Sequence, residues 1–195
     1  MRIVKTLSRG TAVAMAAAVT LISLTVADAG QSDGLSAIRI KNFGRVNDRY
    51  YRGAEPGERG ISDLASLGVK AVIDLQKNGE PSEQQWVESA GMKFYRIGMS
   101  DGAAPSSAQV AEFLKIVDDP ANQPVFIHCH GGRHRAGVMT AIYRLTHDGW
   151  TPEQAYAEMK QYEFDKGFGH GDLKAYVYDY YGRMDKKGVV VVNSK

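Results

Sequence analysis

The chain has little of two things, cysteine and net charge. It holds a single cysteine among 195 residues, so no disulfide can form within the chain and the fold must depend on its apolar core. Its formal net charge is only +2. A general nucleic-acid-binding protein needs a basic face, and this charge balance gives no sign of one. We therefore expect no nucleic acid among its partners.

Residues 1–29 have the pattern of a secretory signal peptide. Three positive charges and no negative one lie in the first nine residues, and an uncharged stretch follows over 11–26. Ala27-Asp28-Ala29 places small residues at both positions that a signal peptidase reads, which predicts cleavage before Gly30. A membrane anchor is the alternative, but the stretch is short and rich in alanine. We therefore expect a periplasmic or secreted protein with no stable membrane insertion after cleavage.

Cleavage would change both the charge of the protein and the interpretation of its cysteine. Residues 1–29 carry three basic residues and one acidic residue, so the net charge falls from +2 to zero without them. Any affinity for anions must then be local. A lone thiol in an oxidising compartment risks oxidation. This favours a chemical role for Cys129 over the alternative of a buried, inert side chain.

Strand and helix patterns alternate through residues 30–195, and no repeat or linker interrupts them, which predicts a single domain. The predicted fold class is α/β, with a central, mostly parallel sheet flanked by helices. One or two short strands are predicted over 37–43 and 46–51, and further strands over 69–75, 93–99 and about 125–128. The predicted helices cover 61–67, 82–90, 106–117, 136–147, 151–164 and 172–181, and the valine run 188–193 is either an edge strand or a tail.

The stretch from Pro124 to Gly137 predicts the functional site. It runs from a buried strand into a helix, with a loop between them that begins at Cys129 and ends at Arg135. Glycines allow such a loop to turn its backbone amides inward, and a helix N-terminus favours an anion. Arg135 can hold two phosphoryl oxygens in a fork. Nearby side chains can supply charge or hydrogen bonds that favour a reactive thiolate. These side chains are His128, His130, Arg133 and His134.

Attack on a phosphate ester also needs a proton donor for the leaving oxygen. Asp101 is the candidate, because it lies in a glycine-containing loop directly after the strand 93–99. Its alternative role is that of a turn former, since Asp-Gly is a common turn pair. The carboxyl ends of parallel strands meet at one edge of a sheet, so this loop and the Cys129 loop should lie together.

Three charged residues that precede the loop in the sequence are further candidates for contact with Arg135. Arg52, Glu80 and Glu83 lie near predicted turns, where charges are usually solvated. Bracing of Arg135 by Arg52 and one of the two glutamates is the alternative.

The segment His128-Cys129-His130-Gly131-Gly132-Arg133-His134-Arg135 resembles the signature loop of cysteine-dependent protein tyrosine phosphatases, in their dual-specificity branch. That pattern is His-Cys, two residues, Gly, two residues, Arg. Over about residues 46–181 the chain is similar to exported bacterial members, with Tyr51-Arg52-Gly53-Ala54-Glu55-Pro56 as one supporting segment. The end of the loop, Arg133-His134-Arg135, is also similar to plant and fungal members that act on inositol polyphosphates or pyrophosphates. The resemblance implies a protein tyrosine phosphatase-like fold.

The resemblance also implies a role for each matching residue. Cys129 would attack phosphorus and carry a phosphocysteine intermediate, and Asp101 would protonate the leaving group and then activate water. His128 would orient the loop and tune the thiolate. No metal or other cofactor is implied, because the loop itself supplies the positive potential. The implied phosphate-binding residues are His130, Gly131, Gly132, Arg133, His134 and Arg135.

Ala136 departs from the family pattern. The family usually has Ser or Thr after the arginine, and the hydroxyl stabilises the departing thiolate. The residues and the resemblance together leave three candidate functions. The first is a protein tyrosine or dual-specificity phosphatase, and the second is a phosphatase for inositol polyphosphates or other small molecules. The third, suggested by Ala136, is a phospho-ligand binding module of low turnover. The expected partner is a phosphorylated protein or a small phosphorylated substrate. A sulfurtransferase would not need Asp101.

Overall fold

A computed structural model describes residues 34–167 and 171–184 of the chain. Its centre is a five-stranded sheet in the order β1-β2-β5-β3-β4. The β1–β2 pair is antiparallel, and the pairs β2–β5, β5–β3 and β3–β4 are parallel. The strands are β1 Gly44–Asn47, β2 Tyr50–Ala54, β3 Ala71–Gln76, β4 Lys93–Met99 and β5 Val125–Cys129. The α/β fold class with a mostly parallel sheet is confirmed.

Six α-helices lie in the described residues. They are α1 Glu58–Ser66, α2 Glu83–Ser89, α3 Ser107–Asp118, α4 Arg135–His147, α5 Pro152–Gln161 and α6 Gly171–Arg183. Short 3-10 turns cover Gly34–Ala37 and Pro120–Asn122. Within the described ranges, no helix combines the length and the apolar character that crossing a membrane requires. The predicted signal peptide and the valine run 188–193 lie outside the described residues.

The sheet separates two apolar cores, and β5 contributes to both. Its alternate residues Val125, Ile127 and Cys129 face the larger core, which α3, α4, α5 and α6 cover. Phe126 faces the smaller core, which α1 and α2 cover. Because side chains alternate along a strand, His128 follows Phe126 onto the opposite face from Cys129. The last two residues of β5 therefore serve opposite sides of the sheet.

The strand predicted over 37–43 is wrong. The segment is a 3-10 turn followed by irregular backbone, and the first strand begins at Gly44. The backbone N–H and the guanidinium of Arg39 both bind Asp63 on α1, and Ile40 is buried in the smaller core. Asn42 has a positive φ of 54°, which interrupts an extended chain. The apolar alternation reflected packing against α1 and not pairing in the sheet.

A capping box fixes the start of α3 beside the end of β4. Ser106 Oγ accepts a hydrogen bond from the backbone N–H of Gln109, and the Gln109 side chain accepts one from the Ser106 N–H. The Gln109 amide also donates to the Gly98 carbonyl at 2.9 Å. These contacts pin both ends of the loop that carries Asp101.

Candidate active site

The loop between β5 and α4 surrounds a small pocket of about 180 Å³. Cys129 ends β5 and is 2% exposed, and Arg135 begins α4. The two loops that the sequence predicts at one sheet edge do meet here. The residues lining the pocket are Asp101, Cys129, His130, Gly131, Arg133, His134 and Arg135.

Gly132 lies directly on the backbone of β2. A Cβ at this position would be 2.5 Å from the Gly53 carbonyl carbon and 2.6 Å from the Ala54 nitrogen, and the φ of Gly132 is +66°. Both the close approach and the left-handed conformation require glycine. The N–H of Gly132 donates to the Cys129 carbonyl at 3.3 Å and closes the turn. Gly131 is different, because a Cβ there would meet nothing closer than the Arg133 side chain at 3.8 Å.

Arg135 lies between the pocket and the Asp101 loop. Its Nη1 donates to the Met99 carbonyl at 3.4 Å, and its Nη2 is 3.6 Å from Asp101 Oδ1. The residue is 9% exposed, and its Nε has no hydrogen-bond partner among the described residues. The guanidinium is therefore held in place with an unused donor, as an oxyanion site requires.

Asp101 lies at the mouth of the pocket. Its side chain is 79% exposed, and it contacts Arg135. It belongs to the turn that follows β4, and Gly102 after it has a φ of +71°. A carboxyl group at the mouth of a pocket can reach a leaving oxygen and also a water molecule. The position predicted from sequence is consistent with an acid that serves the pocket.

His128 lies on the opposite face of the sheet from Cys129. Its Nε2 is 2.6 Å from Glu83 Oε1, and its Nδ1 is 4.0 Å from Asp74 Oδ1. The ring stacks on Phe126 with centroids 5.7 Å apart. All three polar side chains are fully buried. His128 thus connects the end of β5 to β3 and α2, and it does not reach the pocket.

The same three residues, Asp74, Glu83 and His128, are a possible metal-binding group, since one ligand atom of each lies within 4.8 Å of the others. The two carboxylates, however, flank different ring nitrogens of His128. Both oxygens of Asp74 already accept hydrogen bonds, from the Gln76 N–H at 2.7 Å and from Arg96 at 2.8 Å. Because the two acids flank different nitrogens and Asp74 is already hydrogen-bonded, the three side chains fit a brace for the loop better than a metal site.

The other basic side chains of the loop, His130, Arg133 and His134, contact neighbouring segments. His130 is 81% exposed, with Nδ1 3.5 Å from Glu55 Oε2. Arg133 binds Glu163 at 2.8 Å, and His134 Nε2 is 3.0 Å from the Phe164 carbonyl oxygen. They were expected to concentrate charge around the thiol. These contacts join them to neighbouring segments, while all three residues also line the pocket with Cys129.

Arg52 and Glu83 were expected to be solvated, with bracing of Arg135 as the alternative, and both expectations are wrong. Each is fully buried. Glu83 contacts His128, and Arg52 donates a hydrogen bond from Nη2 to the Gly132 carbonyl. Two partners in this region were missed from sequence altogether. Tyr162 stacks under Arg52, and Asn42 donates to the Gly131 carbonyl at 3.3 Å.

A larger groove of about 750 Å³ borders the loop on its outer side. Residues from the segment before β1, from the end of β2 and from the turn after α5 form it together with the loop. Glu55, at the end of β2, is one of its acids. Burial raises the pKa of Glu55, but hydrogen bonds from Gln76 and from the Glu80 N–H outweigh this and lower the pKa overall. The groove is lined by Arg39, Lys41, Asn42, Ala54, Glu55, His130, Gly131, Arg133 and Glu163.

The strand, loop and helix around Cys129, set in this parallel sheet, define a cysteine-dependent protein tyrosine phosphatase of the dual-specificity type. A family model described as PTP-NADK, a DSP-PTPase phosphatase fused to NAD+ kinase, matches residues 36–173. This chain belongs to that family.

Named relatives agree with this assignment. Inositol diphosphatase SIW14 from Saccharomyces cerevisiae is 31% identical over 132 residues, which are 65% of this chain and 47% of the relative. The dual specificity protein phosphatase TpbA from Pseudomonas aeruginosa is 25% identical over 136 residues, which are 70% of this chain and 61% of the relative. This chain spans about half the length of the inositol diphosphatases that it matches.

Solved structures of both relatives share the fold. The core catalytic domain of SIW14 in complex with citrate has a TM-score of 0.64 at 28% identity, covering 71% of this chain and 84% of that chain. Crystalline TpbA has a TM-score of 0.62 at 26% identity, with the same coverage of 71% and 84%. Each similarity therefore extends over most of this chain.

The contact between Gly132 and β2 predicts different effects of two neighbouring substitutions. Gly132→Ala should lower turnover of an aryl phosphate by about 10²-fold or more, because the methyl group displaces the loop amides. Gly131→Ala is the matched control and should retain most of the activity, because its Cβ has room. Steady-state kinetics and thermal unfolding of both variants check this. Equal losses of activity in the two variants would contradict a role for the close contact between Gly132 and β2.

Proposed function

We propose that this chain is a phosphomonoester hydrolase that forms a phosphocysteine intermediate and acts mainly on phosphotyrosine or other phosphorylated residues of proteins. The observation that carries the proposal is the pocket in which Cys129, Arg135 and Asp101 meet beside a glycine-containing loop. The relative TpbA supports it, since that protein is named a dual specificity protein phosphatase, and a cysteine-to-serine variant of it was crystallised with pTyr.

The first chemical step transfers the phosphoryl group to sulfur. The Cys129 thiolate attacks phosphorus, so that an S–P bond forms while the P–O bond to the leaving group breaks. Asp101 gives its proton to that leaving oxygen. Negative charge on the transferring group is stabilised by Arg135, by the backbone amides of residues 130–135 and by the N-terminus of α4.

The second step returns the enzyme to its starting state. Water attacks the phosphorus of phosphocysteine, and Asp101, now a carboxylate, accepts a proton from that water. The S–P bond breaks, inorganic phosphate leaves, and Cys129 departs as the thiolate. The exposed position of Asp101 allows one carboxyl group to serve both steps.

Leaving-group chemistry tests these roles. Asp101→Asn should lower kcat/KM, which reports formation of the phosphoenzyme, about 10²-fold to 10³-fold with phenyl phosphate, whose leaving group needs a proton. The loss should be smaller with nitrophenyl phosphate, because nitrophenolate leaves without one. Cys129→Ser should abolish turnover of both esters.

Two results would contradict the scheme. Equal losses of kcat/KM for both esters in Asp101→Asn would place the general acid elsewhere. Absence of turnover by the unmodified chain at every pH from about 4 to about 8 would contradict an enzyme and favour the phospho-ligand binding module.

Ala136 identifies the step that should limit the rate. It is fully buried at the start of α4 and offers no hydroxyl to the departing thiolate. Thr140, one turn further along α4, does not replace it, because its hydroxyl is paired with the Tyr50 hydroxyl at 3.3 Å. We therefore propose that hydrolysis of the phosphoenzyme is slower than its formation.

Restoring the hydroxyl should speed that step. Ala136→Ser should raise kcat about tenfold, because one hydrogen bond to a charged group contributes about 1.5 kcal/mol. The initial burst of nitrophenolate, present in the unmodified chain, should shrink. Ala141→Ser, another buried alanine of α4, is the control and should leave both quantities unchanged. Absence of a burst in the unmodified chain would count against slow hydrolysis.

A second candidate function is hydrolysis of inositol polyphosphates or other small, highly charged phosphates. The groove beside the loop favours it, because Arg39, Lys41 and Arg133 all line it. Arg39 and Arg133 are paired with Asp63 and Glu163. Lys41 is exposed and has no acidic partner among the described residues, so its charge remains for a ligand.

Substrate comparison separates the two candidates. If the groove binds extra phosphates, Lys41→Gln should raise KM for inositol hexakisphosphate about threefold to tenfold and leave KM for a phosphotyrosine peptide unchanged. Lys115→Gln, on the exposed side of α3, is the matched control. Turnover of the peptide without turnover of inositol hexakisphosphate would exclude the second candidate.

We also propose that the protein is exported and acts in the periplasm or outside the cell after cleavage before Gly30. The support is the sequence of residues 1–29, with its basic start, uncharged stretch and small residues at the cleavage site. Mass spectrometry of the protein from a periplasmic fraction would check the mature N-terminus. An intact Met1 on the exported protein would contradict cleavage.

A further inference from the structure

Arg52 lies beneath the loop on the same side of the sheet as Cys129. In the parallel pairing of β2 with β5, Arg52 is opposite Ile127 and Ala54 is opposite Cys129. Side chains two residues apart on a strand share one face, so Arg52 and Cys129 are diagonal neighbours on the face that α4 and α5 cover. Arg52 is also fully buried, which is rare for an arginine.

Two contacts hold the Arg52 guanidinium against the loop. Nη2 donates to the Gly132 carbonyl, and the guanidinium carbon lies 4.0 Å from the centroid of the Tyr162 ring. Nε and Nη1 have no hydrogen-bond partner among the described residues. The contact is made to the same residue whose N–H closes the turn onto the Cys129 carbonyl. Arg52 therefore acts on the loop at the point where the loop rests on β2.

The charge of Arg52 has no carboxylate partner at ion-pair distance in the described parts of the chain. Four titratable groups face it: Tyr50, Tyr162, Glu158 and Cys129. Burial raises the pKa of Tyr50 and of Tyr162, so both are neutral near pH 7. Glu158 is already bound to Arg144 at 2.6 Å.

Cys129 is thus the one of these four groups left to supply a counter-charge. Burial lowers the pKa of Arg52, but an arginine keeps its proton in proteins. A buried cation without a counter-charge is costly, and a buried thiolate is costly for the same reason. Each reduces the cost of the other.

We propose that Arg52 is a positioning residue of the active site, which holds the Gly132 carbonyl and stabilises the Cys129 thiolate through its buried charge. The proposal rests on the proposed function of the pocket. The two arginines then have different roles. Arg135 lines the pocket and binds the phosphoryl oxygens, whereas Arg52 acts from below through the loop and the thiolate and does not touch the substrate.

Alkylation of Cys129 by iodoacetamide tests this without any need for turnover. Because the chain contains one cysteine, the rate reports on Cys129 alone, and its pH midpoint measures thiolate formation. Arg52→Gln removes the charge and keeps a donor for the Gly132 carbonyl. We expect its midpoint to rise by about one pH unit. Arg52→Met removes charge and donor, and it should show the same rise.

The two variants should differ in loop position, which inorganic phosphate reports by protecting Cys129 from alkylation. The phosphate concentration for half protection should change little in Arg52→Gln and rise about tenfold in Arg52→Met, as expected for loss of a hydrogen bond that places the oxyanion site. The matched control is Arg183→Gln. Arg183 also lies over a tyrosine ring, with its guanidinium carbon 5.4 Å from the Tyr176 centroid, but it ends α6 and is not among the groups that face Arg52. Its variant should leave the midpoint unchanged.

The outcomes are distinct. A folded Arg52→Gln or Arg52→Met protein with the unmodified midpoint would overturn the proposal. Failure of both variants to fold would also overturn it, since Arg52 would then serve the fold and not the site. An unmodified chain that shows the expected alkylation profile but no turnover would contradict the proposed function and leave the role of Arg52 standing.

Discussion

The site depends on one contact, the close packing of Gly132 against the backbone of β2. A loop that must turn its amides toward a single point has little freedom, and here the approach is so close that no side chain fits between the loop and Gly53. Arg52, from the same strand, binds the carbonyl of that glycine. The position of the pocket is therefore set by β2 as much as by the loop itself, and a shift of β2 relative to β5 would change both the amides and the thiol.

The alternation of side chains on β5 divides the work between the two faces of the sheet. Cys129 faces the larger core and the loop, while His128 faces the smaller one and meets Glu83 at 2.6 Å. The loop is thus held from both sides, by Arg52 and Tyr162 on one face of the sheet and by His128 with α2 on the other. Asp101, in contrast to the buried Cys129 and Arg135, is exposed. A buried thiol beside an exposed carboxyl group suits the proposed reaction, in which the acid must meet both a leaving group and water.

The segment before β1 shows where sequence patterns mislead. Its apolar residues alternate as in a strand, yet Ile40 is buried against α1 while Arg39 binds Asp63. Asn42 then reaches the Gly131 carbonyl. Local periodicity cannot distinguish burial against a helix from pairing in a sheet, because both place alternate residues inward. The same segment forms one wall of the groove beside the loop, so the error concerned a part of the chain that borders the candidate site.

The amino-acid sequence by itself determined the α/β alternation, the loop from Cys129 to Arg135 and the place of Asp101 beside that loop, because each depends on residue types at short spacing and on the rule that parallel strands end at one edge. Only the tertiary structure decided the partners of that loop. Arg52 and Gly132 are 80 residues apart, and Glu83 meets His128 across two elements. A charged residue near a turn is usually solvated, and nothing local in the sequence marks the few that become buried. Their burial follows from the register of β2 on β5 and from the place of α2 below the sheet, which exist only once the chain has folded.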